Sequence, residues 1–555
     1  MPTLPSEPAA RPVLADDCRW TCPRLWIRRA SYTSSDPVGL WGQERAQESL
    51  DRFADALRLV AAPRHLDVVR SPSIRTSAAD LVTALGRRLG DGRIVQLVPH
   101  PTEEVLRGTG ERGLLARVGG GVLVIDGRDL AIDPKRLAAV VEAIEHGAST
   151  ELPGKDGAPG ATHRCTASIV LIASDGARKT LRDADARFDG LWTERVVLRP
   201  DLPRTPSDTA VVIALLQRAA KDNRAGEVSL GAYAFLVEQL AGRPARRDRV
   251  ALNIDRAVLA LVDARISRGD AERIRTSDVE AAWARVRWRG GGQEAGHRAR
   301  MRLRQLQVVT EGAHVGVTNG LMIYGSGDGA YSIPGRITAR AWVGRRGLVN
   351  VEREAKYSGR SFDKGIFQLS SWLAATFGAG THPLGLSASL VFEQSYGKVD
   401  GDSATLAEAI ALLSELSGLP VRQDVAVTGA VNQRGDLLPV GSVNLKIAGW
   451  WRSCRDRGPL TGTQGVLIPA VSAPDLQVDK DVLADLRAGR FHVRTAQTID
   501  DAAELLLGRP VGATPWPADS IYGLVDARLK AMSERLFPPR KPPPKPSGNG
   551  DGERS

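Results

Sequence analysis

Cysteine is scarce in this chain of 555 residues, which has four cysteines, at positions 18, 22, 165 and 454. So few cysteines over this length exclude the disulfide framework of a small secreted protein and favour a reducing compartment. Cys18 and Cys22 are close in sequence, but no second pair of cysteines or histidines follows nearby, so a zinc site is not expected. We therefore expect a cytoplasmic protein without a metal site.

Long hydrophobic runs and targeting signals are also missing. No apolar run reaches the roughly 20 residues of a transmembrane helix. The N-terminal segment has neither the basic region nor the apolar region of a signal peptide. The longest uncharged stretch, residues 365–392, is interrupted by polar residues and proline, and it predicts a helix followed by a strand. We expect no membrane partner.

Lysine is scarce too, since only 12 of the 75 basic residues are lysines and the arginines are spread along the whole chain. A net charge of +11 is compatible with a nucleic-acid partner. However, the sequence contains no Lys/Arg block of the kind that forms a DNA-binding arm. We interpret the charge as a general arginine bias and do not expect nucleic acid as the main partner. Attraction of acidic substrates stays open as an alternative.

The first half of the chain predicts an α/β fold. The composition, 42% apolar and 25% charged, is typical of globular proteins, and the length predicts three to four domains of about 100–200 residues. Residues 1–37 are proline-rich and predict an irregular lead-in. Over residues 38–204, amphipathic helices alternate with short apolar strands such as GVLVID (121–126) and ASIVLIA (167–173). This alternation predicts a parallel sheet covered by helices.

The rest of the chain predicts three further regions. Residues 205–300 keep only helical periodicity and predict a small helical module ending in a glycine linker at 290–292. Residues 301–515 show glycine-punctuated strands and predict an α+β domain, with hairpin turns at QRGD (433–436) and GSGDG (325–329). Residues 516–555 predict a C-terminal helix and a disordered proline-rich tail. The predicted fold class is therefore multidomain α/β.

The segment DGDSAT (400–405) carries the strongest chemical signal. It links a strand, LSASLVFEQ, to a helix that should end near Gly418. Thr405 and Glu408 have the spacing of a capping box. One interpretation is that Asp402 and Ser403 only cap this helix. The other is that Ser403 is a nucleophile beside free backbone N–H groups, which stabilise a developing oxyanion.

A serine nucleophile needs a base, and the candidates are few. His382 and His492 are possible partners, although neither lies in a triad-like motif. Lys446 stands out because its neighbours in the sequence are apolar and it opens a predicted helix. A lysine carried into such surroundings loses solvation, its pKa falls, and it acts as a base. The alternative interpretation is a lysine whose stem is buried and whose amine reaches solvent.

Over about residues 311–508 the sequence resembles the protease domain of the Lon family, the Ser–Lys serine peptidases. Three stretches carry the resemblance. They are the run from LSASLVFEQSYGKVDGDSATLAEAI to VRQDVAVTGAVNQRGDLLPVGSVNLKIAGWW, the pair GVLIPAVSAPDL and DLRAGRFHVRTAQTIDDAAELLLG, and the upstream VGVTNGLMIYGSGDGAYSIPGRITARA. The DGDSA form is similar to the B-type and related C-type branches. The interval of 43 residues between Ser403 and Lys446 is similar to the family's dyad spacing.

The resemblance implies a role for each matching residue. Ser403 would be the nucleophile, Lys446 the general base, and Thr428 the residue that hydrogen-bonds the lysine. Backbone N–H groups near Asp402 and Ser403 would form the oxyanion hole, and Asp400 and Asp402 match acidic positions flanking the family serine. The sequence departs from the family at two other positions, Leu445, where glutamate is frequent, and Ser442, where glycine is usual.

The N-terminal half resembles the AAA module that precedes the protease in this family, with VGLWGQERAQESL and the Walker B strand GVLVID. Its nucleotide motifs are degenerate. No GK[ST] occurs in the chain, and at the Walker A position Arg75 stands where lysine should precede Thr76. Walker B keeps Asp126, but Gly127 replaces the glutamate that would activate water. We expect neither ATP nor magnesium as a cofactor.

The resemblance implies a Lon-like serine endopeptidase. Because the Walker motifs are degenerate, we expect it to degrade unfolded or damaged proteins without ATP hydrolysis. The resemblance also implies a homo-oligomeric ring, usually a hexamer, with enclosed active sites. The membrane-anchored insertion that B-type members often carry between the two Walker motifs is missing, because the interval there is short. Two alternatives stay open: an ATP-dependent Lon protease with an atypical nucleotide site, and a non-catalytic AAA-like scaffold.

Overall fold

The computed structural model describes residues 10–538 except 31, 33, 60–61, 71–75, 91–92, 155, 243–245, 270–272, 326–329, 379–383 and 396. The chain divides into two compact units. Residues 21–286 form the N-terminal unit, and the described parts of residues 1–20 and 287–555 form the C-terminal unit. Among the described residues, no helix has the length and apolar character needed to cross a membrane.

The described structure begins with the short strand β1 (Arg11–Pro12). Among its described residues, the N-terminal unit then contains eleven strands and the first helices. Its strands are β2 (His65–Arg70), β3 (Val95–Val98), β4 (Val122–Asp126), β5 (Ala148–Thr150), β6 (Thr162–Arg164), β7 (Ser168–Ser174), β8 (Glu194–Val197), β9 (Asp201–Pro203), β10 (Glu227–Val228), β11 (Arg249–Ala251) and β12 (Arg273–Ile274). Its helices are α1 (Arg24–Arg29), α2 (Glu44–Leu59), α3 (Ala78–Leu89), α4 (Glu103–Arg107), α5 (Leu114–Arg117), α6 (Gly127–Ala131), α7 (Pro134–His146), α8 (Asp175–Ala184), α9 (Pro206–Asp222), α10 (Leu230–Ala241), α11 (Asp255–Arg268) and α12 (Thr276–Gly290).

A five-stranded parallel sheet in the order β3-β4-β7-β2-β8 forms the centre of the N-terminal unit. Strands β4 and β7 are almost fully buried because helices cover both faces of the sheet. The parallel sheet predicted from the alternating pattern is therefore confirmed. The last part of this unit, α9 to α12, is helical as predicted, with two additional strand pairs, β9–β11 and β10–β12. These strands of two or three residues are too short to leave a periodic signal in the sequence.

The C-terminal unit is a mixed α/β structure. Its further strands are β13 (Ala313–His314), β14 (Val317–Tyr324), β15 (Tyr331–Val343), β16 (Gly347–Asn350), β17 (Leu386–Phe392), β18 (Val421–Arg422), β19 (Val425–Val427), β20 (Ala430–Val431), β21 (Leu437–Leu438), β22 (Gly465–Pro469) and β23 (His492–Ala496). Its helices are α13 (Gly292–Arg302), α14 (Val351–Glu354), α15 (Arg360–Phe377), α16 (Thr405–Ser417), α17 (Val443–Arg457), α18 (Lys480–Arg487), α19 (Ile499–Leu507) and α20 (Ile521–Leu536).

An eight-stranded sheet in the order β1-β23-β22-β19-β14-β15-β17-β16 organises this unit. Strand β19 is parallel to both of its neighbours, β14 and β22. Its side chains alternate between two cores: Val425 and Val427 pack with α16, whereas Ala426 packs with α17. The two helices therefore lie on opposite faces of the sheet, and both begin after the carboxyl end of a strand.

Two sequence predictions differ from the structure here. The lead-in predicted as irregular contains β1, which pairs antiparallel with β23, and the helix α1. The glycines at 290–292, predicted as a linker, form the junction at which α12 ends and α13 begins.

The loop GSGDG joins β14 and β15, which pair antiparallel, but residues 326–329 lie outside the described residues. The predicted disordered tail lies outside them as well, apart from its first residue.

Candidate active site

Ser403 lies in the loop between β17 and α16, two residues before α16 begins. Its main-chain carbonyl accepts hydrogen bonds from the N–H of Gly429 at 2.8 Å and from the hydroxyl of Thr428 at 3.0 Å. Both donors directly follow β19. The loop that carries Ser403 is therefore held against the carboxyl end of a central strand, while the side chain stays partly exposed.

Lys446 approaches Ser403 from the first turn of α17. Its Nζ lies 2.7 Å from Ser403 Oγ, although 43 residues separate the two in the chain. Only 2% of Lys446 is exposed. Burial lowers the pKa of Lys446 from its ordinary value to about 8, and the nearby charge of Asp402 opposes this shift. The predicted lysine with a lowered pKa is thus present, and its amine ends at a serine hydroxyl rather than in solvent.

Thr428 fixes the orientation of the lysine amine. Lys446 Nζ donates to Thr428 Oγ1 at 2.9 Å, and the Thr428 hydroxyl donates in turn to the carbonyl of Ser403. Because the hydroxyl hydrogen of Thr428 is used by that carbonyl, the oxygen faces the amine as an acceptor. One N–H of Lys446 then points at Thr428, and in the neutral amine the nitrogen lone pair is free to face Ser403.

Backbone donors lie beside the serine, as the sequence predicts. The N–H groups of Asp402 and Ser403 donate to no acceptor within the described part of the chain. They precede the first turn of α16, where the helix dipole favours negative charge. This is the electrostatic environment that stabilises an oxyanion.

The two aspartates of DGDSA have different surroundings. The charge of Asp402 acts on Lys446, whereas Asp400 does not contact the serine–lysine pair. Instead, Asp400 Oδ1 accepts hydrogen bonds from the N–H groups of Gly401, Ser361 and Phe362, which lower the pKa of its carboxyl. Asp400 therefore joins the Ser403 loop to the start of α15.

The predicted capping box at Thr405 and Glu408 is wrong. Thr405 is the first residue of α16 rather than its cap, and its hydroxyl donates to the carbonyl of Asp402 at 2.7 Å. Glu408 is buried instead of reaching back to the backbone. Burial first, and the charge of Glu352 second, raise the pKa of Glu408 to about 8. The spacing of the two residues matched a cap, but a tight turn at 402–405 starts the helix one residue earlier, at Thr405 itself.

Two glycines of the α15 segment bring it close to the serine loop. A Cβ atom at Gly365 would lie 2.5 Å from Thr405 Oγ1, and one at Gly359 would lie 2.1 Å from Asp400 Cγ. Sequence reasoning missed both positions. For Gly365 the available signal was its place inside an amphipathic helix, where a glycine usually has a packing reason.

A cavity of about 540 Å³ opens at the serine–lysine pair. It is lined by residues 321–325, by residues 397–404 of the loop that carries Ser403, and by residues 439–442 before α17. Its lining is mixed: Met322, Tyr324, Phe392, Val399 and Val440 contribute apolar groups, and Lys398, Asp400 and Asp402 contribute charged ones. Such a cavity admits an extended chain with apolar side chains.

Of the two histidines considered as alternative bases, the described one, His492, is not at the site. His492 is on β23, where its Nε2 lies 2.8 Å from the carbonyl of Gly462. His382 lies outside the described residues. The cysteines at 18, 22, 165 and 454 are all free and buried. Within the described ranges, the chain has no group of three or more His, Cys, Asp and Glu residues that could hold a metal ion.

Two residues expected at a nucleotide site, Asp126 and Thr76, accept hydrogen bonds from arginines. Asp126 accepts hydrogen bonds from Arg70 at 2.8 Å and from Arg128 at 2.9 Å. Burial alone would raise the pKa of Asp126, but the hydrogen bonds and charges of these arginines outweigh it and lower the pKa. Thr76 is buried, and its carbonyl also accepts a hydrogen bond from Arg70. Arg75 lies outside the described residues.

This arrangement does not fit a magnesium–nucleotide complex. Both oxygens of Asp126 accept hydrogen bonds from guanidinium groups, where a metal ion would need them free. A Cβ atom at Gly127 would lie 2.6 Å from the Cβ of Ala173, so a glutamate side chain has no room there without movement of β7.

Comparison with known proteins shows which family part of the C-terminal unit resembles. Residues 394–509 match the family described as the Lon protease (S16) C-terminal proteolytic domain. A putative Lon protease homolog of Haemophilus influenzae is 39% identical over 207 residues, covering 37% of this chain and 34% of that protein. The homolog of Escherichia coli is 36% identical over 205 residues, covering 37% and 35%. An archaeal Lon protease of Methanothermobacter thermautotrophicus is 28% identical over 395 residues, covering 67% and 56%.

These matches make part of the C-terminal unit similar to a protease domain of the S16 class. The family that the matched region resembles is the Lon protease family. The matched region spans about a third of the length of the two bacterial relatives and just over half of the archaeal one. The match to the archaeal protein covers 67% of this chain, which is more residues than the C-terminal unit contains. The similarity therefore extends into the N-terminal unit.

Proposed function

We propose that this chain is a Lon-type serine endopeptidase in which Ser403 is the nucleophile and Lys446 the general base. The observation that carries the proposal is the 2.7 Å contact between Ser403 Oγ and the amine of a buried lysine. The match of residues 394–509 to the Lon proteolytic domain supports the reaction class. Serine and lysine are common at protein surfaces, and here the contact of Ser403 with the amine of a buried lysine gives the pair this chemistry.

The first half of the reaction forms an acyl-enzyme. Neutral Lys446 accepts the hydroxyl proton of Ser403 while Oγ attacks the carbonyl carbon of the scissile peptide bond. The oxyanion of the tetrahedral intermediate is stabilised by the backbone N–H groups of Asp402 and Ser403. The protonated Lys446 then gives the proton to the leaving nitrogen, the C–N bond breaks, and the C-terminal product departs as an amine.

The second half releases the acyl group. A water molecule takes the place of the departed amine, and Lys446, now neutral, accepts a proton from it as it attacks the ester carbonyl. When the ester bond breaks, Lys446 returns the proton to Ser403 Oγ. Thr428 keeps its hydrogen bond to the amine throughout, so that the proton acceptor stays aimed at Ser403 in both halves.

An open strand edge supports a peptide substrate. Strand β14 pairs with β15 from Val317 to Tyr324, but its other edge pairs with β19 only at Asn319 and Gly320. Within the described part of the sheet, residues 321–324 therefore have no strand partner on that edge, and they line the cavity. Extended peptides commonly bind by adding a strand to such an edge.

The proposal extends to the rest of the chain. The N-terminal unit would be a degenerate AAA-like module that does not hydrolyse ATP, which the pairing of Asp126 with Arg70 and Arg128 supports. Without ATP-driven unfolding, the substrates would be unfolded or damaged proteins. The assembly would be a homo-oligomeric ring, usually a hexamer in proteins that this sequence resembles, and the branch would be the B-type or related C-type.

Covalent labelling tests the proposed nucleophile. A fluorophosphonate probe should add once to the wild-type protein, and peptide mapping should place the adduct on Ser403. Ser403→Ala should not label. Ser395→Ala is the matched control, since this serine lines the same cavity without contacting the lysine, and it should label as the wild type does. A wild-type protein that labels no better than Ser403→Ala would contradict the proposal and favour a non-catalytic scaffold.

A further inference from the structure

Three aromatic rings meet at one wall of the active-site cavity. Tyr324 ends β14 and lines the cavity, and Tyr331 begins β15 directly across the hairpin from it. Their rings stack with centroids 5.8 Å apart. The imidazole of His297, on α13, lies 5.2 Å from the Tyr324 ring and 5.8 Å from the Tyr331 ring. The proposed mechanism uses none of these three side chains.

A polar contact locks this cluster in place. His297 Nδ1 lies 2.9 Å from the hydroxyl of Tyr331, which is a hydrogen-bonding distance. Tyr331 is buried, whereas Tyr324 keeps part of its surface on the cavity. The ring of Tyr324 is therefore covered by Tyr331 and His297 and presents its remaining surface to the cavity. An aromatic side chain held in this way has few rotamers left.

The helix that carries His297 also contacts the helix that carries Lys446. Arg298 donates to Asp456 at 2.7 and 2.9 Å, and Arg452 donates to Glu294 at 3.1 Å. Asp456 and Arg452 are on α17, the helix that contributes Lys446. Helix α13 thus contacts both the hairpin wall at Tyr324 and the lysine helix, and it sets the spacing between them.

We propose that Tyr324 is a specificity-determining residue of the peptidase site and that His297 is the positioning residue that fixes its ring. This inference rests on the proposed peptidase function. The ring lines the cavity together with apolar residues such as Met322 and Phe392, so substrate side chains that pack against it are apolar and limited in size. Removing the ring enlarges the cavity and admits larger side chains. Loosening the ring through His297 weakens binding without touching the serine–lysine pair.

Fluorogenic peptides test the inference. One position at a time on either side of the scissile bond is varied among Ala, Leu, Trp and Glu, and kcat and KM are measured separately. Wild type should prefer Leu to Glu at one position. At that position Tyr324→Ala should raise the Trp-to-Leu ratio of kcat/KM at least fivefold, whereas Tyr324→Phe, which keeps the ring, should leave it unchanged.

His297 is tested by the same assay. His297→Ala should raise KM about threefold to tenfold for Leu peptides with little change in kcat, and His297→Gln, which keeps a polar contact to Tyr331, should recover most of the loss. The matched control is His314→Ala, an exposed histidine on β13 away from the cavity, which should behave as the wild type. If Tyr324→Ala fails to fold, Tyr324→Leu replaces it, with the same expected direction.

The outcomes separate this inference from the proposed function. If wild type labels at Ser403 and cleaves peptides, but the Trp-to-Leu ratio is the same in Tyr324→Ala, Tyr324→Leu and wild type, then the specificity role is wrong and the peptidase assignment stands. A fall in kcat alone in His297→Ala overturns the positioning role. If no protein cleaves any peptide and Ser403 does not label, both proposals are overturned together.

Discussion

Gly365 and Thr405 are pressed together at the start of the helix that follows the nucleophile. A Cβ atom at Gly365 would lie 2.5 Å from Thr405 Oγ1 and 3.3 Å from the Cβ of Asp402. The hydroxyl of Thr405 in turn donates to the carbonyl of Asp402. Helix α15 therefore supports the turn that carries Ser403, and it does so through the absence of a side chain.

The first prediction follows from this contact. Gly365→Ala should lower kcat by roughly 10- to 100-fold, because displacing Asp402 and Thr405 moves Ser403 relative to Lys446. The loss should occur although alanine favours the helix by about 1 kcal/mol over glycine. Peptidase kinetics measure the effect, and Lys364→Ala, an exposed neighbour on α15, is the matched control. An unchanged kcat in Gly365→Ala would mean that the turn adapts and that the support is not needed.

The second prediction concerns pH. Since the base must be neutral, and burial lowers the pKa of Lys446 to about 8, kcat/KM should rise about tenfold per pH unit below pH 8 and level off above it. The carboxylate of Asp402 opposes the lowered pKa, so Asp402→Asn should shift the midpoint to lower pH. A profile that is flat from pH 6 to 9 would contradict a role for Lys446 as base. Lys446→Arg should be inactive at every pH, because arginine stays protonated.

The third prediction concerns Thr428. Thr428→Val removes the acceptor that orients the lysine amine and the donor to the carbonyl of Ser403, and it should lower kcat by roughly 100-fold. Thr428→Ser keeps the hydroxyl and should keep most of the activity. Steady-state kinetics on one peptide separate kcat from KM. A Thr428→Val variant with the kcat of wild type would contradict the role of these hydrogen bonds.

The fourth prediction is a stability change with a defined sign. Between pH 8 and about 10.5 the unfolded chain binds a proton at Lys446 that the folded chain does not, so stability rises with pH in this window. Below pH 8 the buried ammonium costs about 3 kcal/mol. Lys446→Met should therefore be more stable than wild type at pH 7, with a gain that shrinks toward pH 10.

Urea denaturation at several pH values measures this difference, with tryptophan fluorescence as the signal, because Trp450 and Trp451 lie on the same helix as Lys446. Lys364→Met, at an exposed lysine, is the matched control and should show no pH-dependent gain. A gain in Lys446→Met that stays constant from pH 7 to pH 10 would show that it arises from packing rather than from the buried charge.

The sequence predicts the secondary structure well where apolar periodicity is strong. The runs 121–126 and 167–173 became the buried strands β4 and β7, because a strand covered on both faces must be apolar throughout. Prediction from the sequence fails where the signal is local and ambiguous. Thr405 and Glu408 match a capping box in spacing, yet tertiary packing buries Glu408 and begins the helix differently. A strand as short as Arg11–Pro12 leaves no pattern at all.

The candidate site shows the same division. The apolar neighbours of Lys446 were enough to predict its burial, and the structure agrees. The proximity of Lys446 to Ser403 could not follow from local patterns. It depends on two helices that lie on opposite faces of one sheet and start at the same strand end. Only the resemblance supplied that pairing. The support from Gly359 and Gly365 was missed because close approach of two backbones leaves no chemical group to recognise.

The most direct test of the whole account is degradation of fluorescently labelled casein, an unfolded protein, by wild type and by Ser403→Ala, each with and without ATP and magnesium. The account predicts that wild type releases label without nucleotide, that adding nucleotide changes the rate little, and that Ser403→Ala releases none. Release that requires ATP hydrolysis would contradict the degenerate nucleotide site, and equal release by wild type and Ser403→Ala would contradict the role of Ser403.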